Sequence, residues 1–221
     1  MRTLRYVLWG LVIVVSAAVA GVYVGTTVLA PERAASTSLA AAFARSDYDS
    51  AGGPFRLTNT RGETVTHEDL KGKPHALFFG FTHCPDVCPG ALIEAAGWLD
   101  ALGEDADKLT IAFVSVDPER DRPELLGQYV RAFDERIMGL TADTEDEIRE
   151  VAQRYRIRFE KVPLQSGSYT INHTADTLLF DKNGDYAGFI AYLPPQVKQN
   201  EAVAARSQAQ TLEVLRRLIG A

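Results

Sequence analysis

The chain has 221 residues, 46% hydrophobic and 24% charged, with a formal net charge of −6; this is one globular domain of ordinary size plus an additional segment. No basic excess exists to neutralise a phosphate backbone, which argues against nucleic-acid binding. With only two cysteines, the fold is not a disulfide scaffold and its core must be hydrophobic.

The additional segment comes first. Tyr6 to Ala30 carries no charged residue and is mostly Val, Leu, Ile, Ala and Gly. A bilayer core requires about 20 apolar residues in a helix, and this run supplies them. Arg2 and Arg5 precede it, and Glu32 and Arg33 follow it. The positive-inside rule therefore predicts a cytoplasmic stretch at 1–5, a single-pass transmembrane anchor at 6–30, and the rest outside the cytoplasm. In a bacterium this places the domain on the periplasmic side of the inner membrane. The alternative is a removed signal peptide ending near Ala18-Val19-Ala20, but the apolar run continues beyond that point. Gly21 and Gly25 form a GxxxG pair, a weak signal for helix contact.

Residues 31–52, rich in Ala, Ser and Thr, read as a linker, and 53–221 as the folded domain. Gly53 to Leu57 alternates like a short strand, followed by a turn at Thr60–Glu63. His75-Ala76-Leu77-Phe78-Phe79-Gly80-Phe81 has the apolar density of a buried central strand. Ala91 to Leu102 has helical spacing, and Leu109 to Val116 is a second buried strand. Pro123 to Ile137 reads as a helix with Leu125, Leu126, Tyr129, Val130 and Phe133 as its apolar positions. Thr144-Glu145-Asp146-Glu147 has the form of a capping box opening a helix to about Tyr155. Ile157–Val162 and Tyr169–Asn172 are expected to pair across Gln165-Ser166-Gly167. Thr177–Phe180 and Ala187–Tyr192 form a hairpin over the Asp181–Asp185 turn, and a helix from about Val197 to Leu218 closes the chain. Strands alternating with helices, then a late hairpin, predict an α/β fold with a central sheet covered on both faces.

The chemistry concentrates in Phe81-Thr82-His83-Cys84-Pro85-Asp86-Val87-Cys88-Pro89, between a buried strand and a helix. Open α/β sheets place functional groups there, and a helix N-terminus favours the thiolate form. Cysteines four apart on a regular helical turn would have Cβ atoms about 5–6 Å apart. A relaxed disulfide wants about 3.8 Å. Such a turn would suit a metal better than a disulfide, whereas a loop-to-helix transition leaves a disulfide open. Two soft thiolates favour Cu(I), Zn(II) or iron–sulfur clusters, and two cysteines are too few for a usual cluster. A third ligand is needed, and spacing alone does not select one among His67, His75, His83 and His173. His67 reads as part of a surface helix start and His75 as the opening of a strand. His83, beside Cys84, points the other way if extended. His173 sits between the expected hairpin and the next strand, where the chain can fold back over the cysteine turn. The Asp181–Asp185 segment is not a calcium loop, because Tyr186 stands where Gly is required and Tyr192 where the bidentate Glu belongs.

The block from Phe79 to Pro89 resembles the signature of the Sco/SenC family. Further likenesses follow at Val114–Asp121, Met138–Thr141 and Asn172-His173-Thr174, and the resemblance extends over about Gly53 to Tyr192. It implies a thioredoxin-like fold and a copper site of Cys84, Cys88 and His173. It also implies a role in assembling the dinuclear copper centre of cytochrome c oxidase, with the copper-receiving oxidase subunit as partner and other copper chaperones or thiol reductants as further contacts. Asn172 departs from the family, which often has Asp there. On this reading Cys84 and Cys88 supply thiolates that stabilise Cu(I), and His173 supplies a neutral imidazole that admits Cu(II). Asp86 is either an outer contact of the site or a charge complementing the helix dipole, and Asp117 bonds the turn that follows it. No residue is assigned as catalytic, though Cys84 and Cys88 are candidates for redox activity. The competing function is a thiol-disulfide oxidoreductase acting on the copper-receiving cysteines, which the CxxxC spacing fits less well than CxxC would. A weaker third reading is a peroxidase or redox sensor.

Overall fold

The computed structural model of the chain describes Tyr48 and residues 50–221. The expected anchor at 6–30 and most of the linker lie outside the described residues. Among the described residues, no helix is long and apolar enough to cross a membrane.

In chain order the strands are β1 (Arg56–Asn59), β2 (Thr64–Thr66), β3 (His75–Gly80), β4 (Thr110–Ser115) and β5 (Met138–Thr141), followed by β6 (Phe159–Pro163), β7 (Tyr169–His173), β8 (Thr177–Phe180) and β9 (Tyr186–Ile190). The helices are α1 (Val87–Leu102), α2 (Pro123–Arg131), α3 (Glu145–Arg154), α4 (Pro195–Lys198) and α5 (Glu201–Ile219). All strands except β6 and β7 form one sheet, ordered β2-β1-β5-β4-β3-β8-β9. Every residue of β3 is buried, as its apolar run requires. It lies parallel to β4, from His75↔Thr110 to Gly80↔Ser115, and antiparallel to β8. β4 continues parallel to β5, with Val114 opposite Leu140. The core is centred on these strands, with Phe79, Phe113, Leu140 and Leu178 at or near zero exposure.

β6 and β7 pair only with each other, antiparallel, with Phe159 opposite His173 and Pro163 opposite Tyr169. The expected late pairing is therefore a separate two-stranded sheet. The mixed α/β fold with a central sheet agrees with the expectation, and so does the capping box of α3. There the Thr144 hydroxyl accepts the Glu147 amide at 3.3 Å while the Glu147 carboxylate accepts the Thr144 amide at 3.2 Å.

Several boundaries differ. α2 stops at Arg131 rather than Ile137, because Asp134 accepts the Arg136 amide at 2.8 Å and turns the chain toward β5. Leu125, expected to face inward, is 52% exposed. The single C-terminal helix is two: Asn200 interrupts it and caps α5 through its side-chain oxygen, which accepts the amides of Ala202 and Val203. β2 and β5 were not anticipated, being too short for a periodicity to register. Tyr48 and Ala51, assigned to the linker, are buried. The Tyr48 hydroxyl donates to Asp176 at 2.8 Å and its ring lies 5.4 Å from that of Phe189, so packing begins before Gly53.

Candidate metal centre

β3 ends at Gly80, and the chain turns through Phe81–Asp86 into α1. Cys84 lies in that turn and Cys88 in the first turn of α1. The pair thus does not share a regular helical turn but straddles the loop-to-helix transition. Both thiols are free. The backbone explains the placement of Cys88. A Cβ on Gly80 would stand 2.7 Å from Cys88 Sγ and 3.0 Å from each of two phenylalanine rings, Phe78 and Phe113. Only glycine leaves room for the sulfur against the end of β3.

His173 ends β7, and its Nε2 lies 3.4 Å from Cys88 Sγ. One donor atom from each of Cys84, Cys88 and His173 can be chosen so that all lie within 4.8 Å of one another. The His173 ring is held edge-on to Phe78 at 6.1 Å and Phe81 at 5.8 Å. Its Nδ1 is 2.8 Å from the Thr174 carbonyl oxygen, which can only accept. Nδ1 therefore donates to that carbonyl, and Nε2 faces the sulfurs. Orientation of a ligand histidine by a backbone carbonyl is the usual outer-shell arrangement.

The thiols are electrostatically unequal. Cys84 accepts the backbone N–H of Cys88 at 3.4 Å. Hydrogen bonding from the Cys88 thiol, then from the His173 side chain and the Cys88 and Asp86 amides, lowers the Cys84 pKa to about 3 against the opposing effect of burial. Cys88 is fully buried. Burial, and then the negative Cys84 beside it, push its thiol well above the ordinary range. The two shifts run in opposite directions and favour the thiolate at Cys84 and the thiol at Cys88. Two soft sulfurs and one imidazole, close together without a disulfide, fit a copper ion.

Beneath the turn lies Asp121, fully buried. It accepts the Thr82 amide at 2.9 Å, the Thr82 hydroxyl at 2.5 Å and the Ser115 hydroxyl at 2.6 Å. Burial raises its carboxyl pKa even so. This network ties the cysteine turn to the end of β4. A cleft of about 410 Å³, lined in part by Phe81, Cys84, Pro85, Asn172 and His173, opens beside the site.

The other histidines take no part. His83 is exposed, with Nδ1 3.0 Å from the Thr82 hydroxyl. His67 is 2.9 Å from the Glu68 carboxylate, and buried His75 stacks on Phe180 at 5.1 Å. Asp86 is exposed at the N-cap of α1, where its side chain makes no cap hydrogen bond. Asp117 does bond its turn, accepting Arg120 Nε through its carboxylate and the Asp121 amide through its carbonyl. Sequence reading missed Gly80, Asp121 and Tyr169. A glycine at the end of an aromatic strand just before a cysteine turn was a usable signal for the first. Asp121 and Tyr169 act across 39 and 52 residues, where no local pattern reaches.

The SCO1/SenC family profile matches residues 44–209. The chain belongs to this family. Curated SCO1/SenC relatives include the mitochondrial SCO1 homolog 1 of Arabidopsis thaliana, 38% identical over 62% of this chain and 41% of its own. The human mitochondrial SCO1 homolog is 37% identical over 70% of this chain and 51% of its own. The chain thus spans about half the length of these relatives. Among solved structures, copper-bound ScoI of Bradyrhizobium japonicum is 42% identical, with a TM-score of 0.62 over 70% of this chain and 98% of that one. Copper-bound ScoI of Arabidopsis thaliana is 33% identical, with a TM-score of 0.64 over 75% and 98%.

Proposed function

We propose that this protein is a membrane-anchored copper chaperone that holds copper through Cys84, Cys88 and His173. Its recipient is the copper-receiving subunit of cytochrome c oxidase, during assembly of that subunit's dinuclear copper centre. The N-terminal segment holds the domain, on this reading, at the non-cytoplasmic face of the membrane. The observation that carries it is the meeting of two free thiols and a correctly oriented imidazole, drawn from separate elements, within 4.8 Å. The copper bound in two solved members of the family supports it. In this role Cys84 is already ionised, Cys88 gives up a proton, and His173 contributes its Nε2 lone pair.

The unequal thiols also suit a second reading, thiol-disulfide exchange. In that chemistry the Cys84 thiolate attacks a partner disulfide, and Cys88 then displaces the mixed disulfide. The partner leaves with two thiols, and this chain retains the new disulfide. A thiolate of very low pKa is a poor nucleophile, and its stability favours the reduced pair. Both effects oppose a reductant.

Copper titration of the detergent-solubilised chain separates the readings. Wild type should take up one copper tightly, Cys84→Ser and Cys88→Ser should lose it, and His173→Ala should lose Cu(II) affinity more than Cu(I) affinity. Wild-type uptake no greater than that of the double-cysteine variant would sink the copper reading. Metal-free reduction of an oxidase-fragment disulfide would favour the second.

A further inference from the structure

His173 reaches the thiols on a hairpin that shares no strand pairing with the main sheet. Besides the contacts at His173 itself, a group of side chains anchors the other end of β7, at Tyr169. Arg120, in the turn after β4, donates from Nη1 to the Tyr169 carbonyl at 3.0 Å and lays its guanidinium 3.8 Å from the centre of the Tyr169 ring. Fully buried Asp117 completes the clamp. It accepts Arg120 Nε at one oxygen and the Tyr169 hydroxyl, at 2.8 Å, at the other. The Arg120 guanidinium also lies 5.8 Å from the Phe81 ring, whose centre is 5.8 Å from the His173 ring.

Tyr169 and His173 are four apart on one strand and share a face. At about 3.3 Å per residue the lever from one to the other is about 13 Å. A tilt of about 5° at Tyr169 therefore moves the imidazole about 1 Å, against a tolerance of about 0.2 Å in metal–ligand distance. The ion pair of the clamp is largely buried, with Asp117 fully so and Arg120 19% exposed, and its planar fork with stacked ring is a geometry lysine cannot reproduce.

We propose that Arg120, seated on Asp117, is a positioning residue for His173: it holds β7 at the tilt that presents Nε2 to the thiols. This rests on metal ligation by His173 as read above. The test uses the full chain in detergent. In the metal-free protein, Arg120→Ala should speed amide hydrogen exchange across residues 169–173 at least about tenfold, leaving β3 and β4 unchanged. Its Cu(II) affinity should fall about 10- to 100-fold, as for loss of an outer-shell support, while Cu(I), held by the two thiolates, changes much less. Arg120→Lys should fall between. In a His173→Ala background, Arg120→Ala should cost nothing further. Unchanged exchange and Cu(II) affinity would overturn the proposal, as would an equal loss with and without His173. If Arg120→Ala does not fold, Arg120→Lys and Tyr169→Phe decide on the same two quantities. Wild-type Cu(II) binding by His173→Ala alone would remove the three-ligand reading and this one with it. A deficient His173→Ala beside a normal Arg120→Ala removes only the clamp.

Discussion

Substituting Gly80 by alanine probes the tightest point of the site. The new Cβ would stand 2.7 Å from Cys88 Sγ and 3.0 Å from a carbon of each of Phe78 and Phe113, roughly 1 Å inside normal contact with the sulfur. None of the three neighbours can yield easily: all are buried, and Cys88 is fixed in the first turn of α1. Overpacking of this kind costs about 1–3 kcal/mol, and three simultaneous close contacts place Gly80→Ala near the upper end. For a domain of this size that lowers Tm by roughly 5–10 °C. Relief comes mainly by moving the sulfur away from β3. A displacement near 1 Å exceeds the ligand tolerance of about 0.2 Å, so copper affinity should fall more than about tenfold. Thermal melts with and without copper measure both effects. In the double variant Gly80→Ala/Cys88→Ala the principal clash is gone, so Gly80→Ala should cost measurably less there than in wild type. A Gly80→Ala protein within about 0.5 kcal/mol of wild type, or an equal cost in both backgrounds, would refute the packing argument.

Because Cys84 is ionised at neutral pH and Cys88 is not, copper binding at pH 7 should release about one proton; potentiometric release near two or zero would contradict the unequal pair. Burial holds the His75 imidazole below its ordinary 6.5, so the folded chain takes up this proton less readily than the unfolded chain. That contribution to stability is complete above about pH 6.5 and is lost as pH falls toward the depressed folded value. Urea unfolding between pH 5 and 7.5 should therefore be less pH-dependent in His75→Phe, and an unaltered slope would count against it. Thr144→Ala removes the α3 cap and should cost about 1 kcal/mol in chemical denaturation, with a neutral result contradicting the cap. Leu125→Gln, on a half-exposed position, should change stability by less than about 0.5 kcal/mol; a core-like loss would show the side chain to be packed.

How much of this was legible depended on the range of each interaction. β3 announced itself because a strand buried on both faces must be apolar throughout. α3 did so because a capping box is a local pattern of four residues. The two cysteines stood out by type and spacing, but spacing left a shared helical turn and a loop-to-helix transition both open, and the structure takes the second, beginning α1 only at Val87. His173 is 85 residues from Cys88, and family resemblance rather than geometry brought it into the sequence reading. β5 is four residues long and carries no signal of its own; its place in the sheet comes from β4 and β1. Leu125 misled because helical periodicity marks one apolar face without saying how far the core extends under it. Arg120 and Tyr169 are ordinary residues in sequence, and only the folded chain brings the guanidinium onto the ring.

In the proposed site one copper ion is held by two sulfurs and the Nε2 of His173. X-ray absorption of the copper-loaded chain tests it most directly. Two sulfur scatterers and one imidazole are expected, with the imidazole signal absent from His173→Ala and both sulfurs absent from Cys84→Ser/Cys88→Ser. A wild-type spectrum with no sulfur, or one that His173→Ala leaves unchanged, would contradict it.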